Sequence, residues 1–332
     1  SVRHRLGYAA WRAGASVFVA DGVPFSFTTG PVLARCVCDL VGFLIEGDPQ
    51  QALTLHDVGA GTGYLTRHVI ETLARRSPDL ARACQYLASD NSPEMIAAMS
   101  GVFAGLPQDL EVRVTARAGN ALSAEDILDG APSVVLMSYL VDAVPPIHVA
   151  QSDDDLHEVL AQTWVVTGQP VLDASIWPPR ILEGEALAEV LETSPESLSP
   201  GAVLQSIPLI VEAAVEGQIL SADTANVIAS SLPFYNTRPG VASMIRELVA
   251  RLGEESIVLI TDFGYSAGEV PNELDALMTE YGATTCFAVF FDELVAAAEA
   301  EGATCRVHSV AAGGTHVLAI YKGARKDVFT AL

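Results

Sequence analysis

The chain has 332 residues, half of them hydrophobic and only 18% charged, enough for one large catalytic core with a sizeable insertion or for two coupled domains. A net charge of -23 at pH 7 repels phosphate backbones and anionic lipid, which argues against a nucleic-acid or membrane surface built on broad positive charge. Five cysteines, Cys36, Cys38, Cys84, Cys286 and Cys305, are odd in number and lack CxxC spacing, so they imply neither a disulfide framework nor a zinc site and are expected to be reduced and mostly buried.

In chain order, Arg3 and Arg5 are followed by no apolar run of signal-core length before Asp21. The apolar stretch from Val32 to Ile45 contains Arg35 and Asp39 and is too short to span a bilayer, so a cytoplasmic location is expected. Leu53 to Val58 reads as a strand ending at Gly59, and Leu65, Val69 and Leu73 then recur on one helical face. A second strand spans Cys84 to Ser89. Ser92 caps the helix that follows, with Pro93 at its first position and Met95, Met99, Val102 and Phe103 as its stripe. Leu110 to Ala116 alternates as a third strand, and Ser133 to Met137 is apolar throughout, as a strand covered on both faces should be.

After Pro145 and Pro146 the pattern changes into segments broken by Pro170, Pro178, Pro179, Pro200, Pro208 and Pro233, read as a mostly helical insertion. Val241, Ile245, Leu248, Val249 and Leu252 then form a helical stripe ending at Gly253, and Ile257 to Ile260 is a fifth strand. A helix from Asp292 to Glu301 closes at Gly302. Thr304 to Val310, a Gly313-Gly314 turn and Thr315 to Tyr321 form a terminal antiparallel hairpin. The alternation predicts an α/β fold with a doubly wound, mostly parallel sheet and ligands at the carboxyl ends of its strands.

The segment His56-Asp57-Val58-Gly59-Ala60-Gly61-Thr62-Gly63-Tyr64 lies where a buried strand turns into a helix. Glycines there let a ligand approach the backbone, and the helix amino end offers N–H groups to a carboxylate or phosphate. The dinucleotide pattern GxGxxG fails in both registers, because Tyr64 or Thr66 stands at the third glycine. The string instead resembles motif I of class I S-adenosylmethionine-dependent methyltransferases, an acidic residue before GxGxG, matched by Asp57, Gly59, Gly61 and Gly63.

That resemblance implies a seven-stranded Rossmann-like sheet, S-adenosylmethionine as methyl donor with S-adenosylhomocysteine as product, and no metal. Asp90, assisted by Asn91, stands where an acidic side chain meets the ribose hydroxyls, with helix capping as its alternative. Gly119-Asn120-Ala121-Leu122 resembles the segment that meets adenine, Asn120 standing where Asp is more usual; an ordinary turn asparagine is the other reading. Ser138 closes the fourth strand opposite the expected sulfonium. Tyr139 and Asp142 are candidate catalytic groups, or else packing and turn residues, and His148 is a candidate base. His157, His308 and His316 show no metal-ligand spacing.

Several segments resemble the MidA-like branch of the class, which includes a mitochondrial complex I assembly arginine methyltransferase. They are Phe27-Thr28-Thr29-Gly30-Pro31, Asp142-Ala143-Val144-Pro145, Ile260-Thr261-Asp262-Phe263-Gly264-Tyr265 and the run from Phe287 to Gly302. Where the arginine-modifying members read Asn-Glu before DAxP, this chain has Ser138-Tyr139, without the carboxylate that would hold a guanidinium. An insertion enclosing a limited pocket makes a small molecule or peptide with a nucleophilic N or O the expected acceptor. Protein side-chain methylation, arginine included, and a non-catalytic binder of the cofactor acting as an assembly scaffold are the alternatives. The expected organisation is a helical segment 1–52 on the lid or substrate side, a catalytic core of 53–150 and 244–332, and a helical acceptor-binding cap of 151–243. No nucleic acid and no membrane are expected as partners, and a homodimer is among the expected states.

Overall fold

The computed structural model describes residues 30–47, 53–152, 155–158, 160–165, 171–173, 180–182, 184–193, 209–214, 234–266, 269, 278–281, 284–310, 314–324 and 329. Phe27, Thr28, Thr29 and Gly313, named above, lie outside them. In chain order the elements are α1 (Pro31–Gly47), β1 (Thr54–Val58), α2 (Tyr64–Arg76), α3 (Pro78–Ala83), β2 (Gln85–Asp90), α4 (Pro93–Ala104), β3 (Arg113–Ala118), α5 (Ala124–Leu128) and β4 (Val134–Ser138). Next come β5 (Ile147–Ser152), β6 (Asp155–Glu158), β7 (Leu160–Val165), β8 (Val171–Asp173), β9 (Arg180–Leu182), α6 (Gly184–Thr193), β10 (Leu209–Ala214) and β11 (Phe234–Thr237). The chain continues with α7 (Pro239–Arg251), β12 (Ser256–Tyr265), β13 (Met278–Tyr281), β14 (Thr284–Phe287), β15 (Val289–Phe290), α8 (Phe291–Glu299), β16 (Thr304–Val310) and β17 (Thr315–Lys322).

The chain divides into two compact units. The larger takes in the described residues 30–144, 238–269 and 289–329. Its sheet has the order β3-β2-β1-β4-β12-β17-β16, with β15 added beside the end of β12. The first five of these strands run parallel, and β17 is antiparallel to both of its neighbours. The expected Rossmann-like sheet with a terminal antiparallel hairpin is therefore present.

Both faces are covered, as the continuous apolar runs Val134 to Met137 of β4 and Ile257 to Ile260 of β12 require. Val134 and Leu136 of β4, Ile257 and Leu259 of β12, and Ala319 and Tyr321 of β17 pack with α1, α2 and α3. Their alternates Val135, Met137, Val258, Ile260, Leu318 and Ile320 pack with α5, α7 and α8. The helix α1 belongs to this core and not to a separate lid segment. Leu33, Val37, Leu40, Val41 and Leu44 recur at helical spacing and are buried in one cluster with Val69, Ile70 and Leu73 of α2. All five cysteines are free thiols. Burial raises the thiols of Cys38 and Cys305 to about 12 and that of Cys84 to about 11, so these three stay protonated.

The smaller unit takes in the described residues 145–237 and 278–288. The expected helical cap is corrected here, because the described parts of 151–243 outside α7 are seven strands or strand segments and one helix, α6. Antiparallel ladders join β11, β5 and β6, then β7 with β10, β8 with β9, and β13 with β14. The prolines that break this stretch leave apolar runs of strand length, too short for a helical stripe, and such runs pair as hairpins. The unit also begins earlier than expected, at Pro145, and takes in residues from the 270s and 280s.

Candidate functional site

Four loops leave the carboxyl ends of β1, β2, β3 and β4 at one edge of the sheet. Strand order reverses between β1 and β4, and that crevice is where open parallel sheets bind ligands. The loop after β1 carries three glycines in left-handed backbone, with φ of 68° at Gly59, 55° at Gly61 and 77° at Gly63. They do different work. A methyl group on Gly59 would lie 2.7 Å from Leu140 Cδ1, and one on Gly63 would lie 3.0 Å from Met99 and Phe103, so both are packing glycines. At Gly61 such a methyl would meet nothing within 4 Å. This is the position where backbone faces open space, as a ligand cradle requires.

Beside it stands Asp90, partly buried at the end of β2. Its Oδ2 accepts the Gly61 N–H at 3.0 Å and its Oδ1 accepts the Ser92 N–H at 2.9 Å. Each oxygen is thus oriented by one backbone donor and retains a second lone pair, an arrangement suited to a vicinal diol. Capping of α4 falls to Ser92, whose hydroxyl accepts the Met95 N–H. Asn91 is exposed next to it. After β3, Asn120 Oδ1 accepts the Leu122 N–H and the Asn120 N–H goes to Asp126. The turn is therefore built by Asn120 itself through its N–H and Oδ1, with Ala121 partly buried beside it.

Asp57 does not reach this opening. It is 3% exposed, and its Oδ2 accepts the Thr66 hydroxyl of α2 at 2.7 Å. Burial pushes its carboxyl up to about 7, opposed by the Thr66 hydrogen bond. Its neighbour His56 is buried too, with Nδ1 donating to the Ile127 carbonyl and Nε2 accepting from Ser89, and burial holds the imidazole below its ordinary range. Both residues fasten the floor of the loop to the second strand and to the helices on either face.

Across the crevice, β4 ends at Ser138 and the chain enters Tyr139 with a φ of 48°, a strained value for an aromatic residue. The Tyr139 N–H donates to Thr261 O at 2.8 Å, and its hydroxyl lies 3.3 Å from Thr315 Oγ1 at the start of β17. Asp142 is 1% exposed and sits against Asp262, which is 0% exposed. Arg238, also buried, donates through Nε to Val144 O, and its own N–H is held by Glu293 of α8. Burial raises the Asp262 carboxyl well above its usual range, and Asp142 raises it further.

The structure therefore gathers Asp57, Gly59, Gly61, Gly63, Asp90, Asn91, Asn120, Ala121, Ser138, Tyr139 and Asp142 in the larger unit, whereas His148 belongs to the smaller one. There His148 Nδ1 lies 2.7 Å from Asn236 Oδ1, and its ring packs against Phe287. Sequence reasoning missed Thr66, Leu140 and Thr315, and took Asp262 only as a branch signature. The signal at Asp262 was a carboxylate interrupting an otherwise buried strand, since β12 is buried from Ser256 to Asp262.

Comparison with known proteins fits this geometry. The model of a family described as "Putative S-adenosyl-L-methionine-dependent methyltransferase" matches residues 32–292, well over half of the chain. The chain belongs to this family. Two solved structures from Burkholderia thailandensis share the fold at 14% identity and a TM-score of 0.57. One, an uncharacterized protein, aligns over 91% of this chain and 82% of its own; the other, bound to S-adenosyl-homocysteine, aligns over 90% and 79%. No curated protein matches the sequence. This chain is thus an S-adenosylmethionine-dependent methyltransferase. Among the described residues of the methyltransferase, no helix is long and apolar enough to cross a membrane, and no cluster of His, Cys, Asp and Glu has metal-holding geometry.

Proposed function

We propose that the crevice at the β1/β4 switch binds S-adenosylmethionine and passes its methyl group to an N or O nucleophile of a small molecule or short peptide. The observation that carries this is Gly61, a left-handed residue facing open space, with its N–H on the carboxylate of Asp90. The residues fit the cofactor. Asp90 supplies two outward lone pairs for the ribose diol, Asn120 Nδ2 and the Ala121 backbone read the adenine edge, and the amino end of α2 with the Gly61 loop receives the carboxylate. Gly59 and Gly63 shape that loop through packing, and Asp57 supports it from below.

When bound, the sulfonium supplies an electrophilic methyl for in-line displacement. The chain's own part is alignment and water exclusion. Ser138 and Tyr139 form the facing wall, and the Tyr139 hydroxyl, paired with Thr315, is the group that orients an incoming nucleophile by hydrogen bonding. Acceptors other than arginine are favoured because the β4 exit presents Ser138-Tyr139, while the neighbouring carboxylates of Asp142 and Asp262 are both buried and Asp262 is occupied by backbone N–H groups.

The test is transfer of tritium from S-adenosyl-[methyl-³H]methionine to panels of phenols, amines, carboxylic acids, short peptides and intact arginine-rich proteins. Label in a small phenol, amine, acid or peptide is expected, reduced in Tyr139→Phe. Label confined to arginine of intact proteins would contradict the small-acceptor reading, and cofactor binding without transfer to any panel would favour the scaffold alternative.

A further inference from the structure

We propose that Asp262 is a positioning residue for methyl transfer: its carboxylate clamps the loop leaving β4 and so fixes Tyr139 and Leu140 on the acceptor side of the crevice. The proposal rests on the reading of that loop as the acceptor wall. Asp262 Oδ2 accepts the N–H groups of Val141 and Asp142, each at 3.0 Å, and Oδ1 accepts the Phe263 N–H at 2.9 Å. The residue before it, Thr261, accepts the Tyr139 N–H. Two successive residues of β12 therefore hold three N–H groups of a loop about 120 residues earlier in the chain.

A carboxylate with 0% exposure inside an apolar strand is costly unless its lone pairs are used. Here they serve the loop more than the strand, which needs only the Phe263 bond. Arg238, held to Val144 O, stands close enough to offset part of the charge that Asp142 and Asp262 bring together. The grip on either side of Leu140 has two consequences. Tyr139 stays in left-handed backbone with its hydroxyl at Thr315, and the Leu140 side chain is set into the space that Gly59 leaves by having none. One buried carboxylate thereby aligns the acceptor wall with the cofactor loop. Gly264, two residues on, lets the Val289 backbone approach to 1.9 Å of where a methyl would sit, so the end of β12 is itself anchored.

The test uses the full chain with 3-fluorotyrosine at its eight tyrosines, the Tyr139 ¹⁹F resonance being assigned by its loss in Tyr139→Phe. Asp262→Asn preserves shape but replaces an accepting oxygen with a donor. It is expected to shift and broaden the Tyr139 resonance while the others hold, and to speed amide exchange at Val141 and Asp142 on the order of tenfold. A purely structural role would lower melting temperature and leave a folded variant's Tyr139 signal and these amides as in the wild type, which overturns the proposal. Should Asp262→Asn not fold, the wild type decides alone: protected Val141 and Asp142 amides support the clamp, and amides exchanging like an open loop overturn it. Titration of the wild type with S-adenosylhomocysteine separates the two levels. No binding overturns the functional reading beneath the proposal, whereas binding with an unmoved Tyr139 resonance in the variant overturns the proposal alone.

Discussion

The loop after β1 and the loop after β4 face each other across the switch point of one sheet, and they are held by opposite means. The first is shaped by backbone: three glycines with positive φ, two of them small because Leu140, Met99 and Phe103 occupy the space a side chain would take. The second contains no glycine, forces a tyrosine into the same left-handed region, and is held there by a carboxylate and a carbonyl from β12. A cofactor that presents the same carboxylate, ribose and base in every member can be met by a local backbone motif. An acceptor wall that differs from enzyme to enzyme is set by side chains, and these are exchanged without altering the fold.

This contrast can be broken at several points. The largest effect is expected at Gly59. Alanine there combines left-handed strain with a contact 2.7 Å from Leu140 and should cost about 3 kcal/mol, whereas Gly61→Ala, which meets nothing, should cost only about 1 kcal/mol while obstructing the cofactor. Thermal denaturation of both variants, with calorimetric titration of the folded one, distinguishes packing glycine from ligand-facing glycine. Equal destabilisation would erase the distinction.

Next is Asp57. Its folded carboxyl is raised from 3.8 to about 7 by burial, so the folded state holds that proton to higher pH than the unfolded chain does. Its contribution to stability is therefore greatest below about pH 4, falls as pH rises to about 7, and is level beyond. Asp57→Asn, which keeps an acceptor for Thr66, should gain on the wild type by on the order of a few kcal/mol between pH 4 and pH 8. Denaturant melts of both proteins across that range check it, and a constant difference would show that Asp57 is ionised in the folded state at low pH.

The smallest effect is expected at Tyr139. Its phenylalanine variant loses the Thr315 hydrogen bond and should be destabilised by about 1 kcal/mol or less, with unchanged affinity for S-adenosylhomocysteine. A large loss of cofactor affinity would move Tyr139 to the other side of the crevice.

The loops proposed to hold the cofactor were legible in the sequence because their signals are local. Asp57, the three glycines, Asp90 and the Ser92 cap fall within two successive strand-turn-helix units, and strands β1, β2 and β4 fall within a residue of their expected limits. The third strand begins three residues late because Leu110 ends a short 3₁₀ turn and Glu111 takes a φ of 51°, which an alternating pattern does not reveal. β12 runs on to Tyr265 where the apolar run stops at Ile260, since the polar Asp262 is satisfied by a loop far away in the chain. The insertion misled for a related reason: short proline-bounded runs carry no period long enough to tell strand from helix, and antiparallel pairing decided in favour of strand.

The central claim, that the Gly61 and Asp90 side of the crevice is the S-adenosylmethionine site, is tested most directly by calorimetric titration of the wild type and of Asp90→Ala with S-adenosylmethionine, NADH serving as a control. Micromolar binding of S-adenosylmethionine alone, weakened about 100-fold in the variant by the loss of two charge-assisted hydrogen bonds, is the predicted result. Binding left intact in Asp90→Ala, or binding of NADH in place of S-adenosylmethionine, would contradict it.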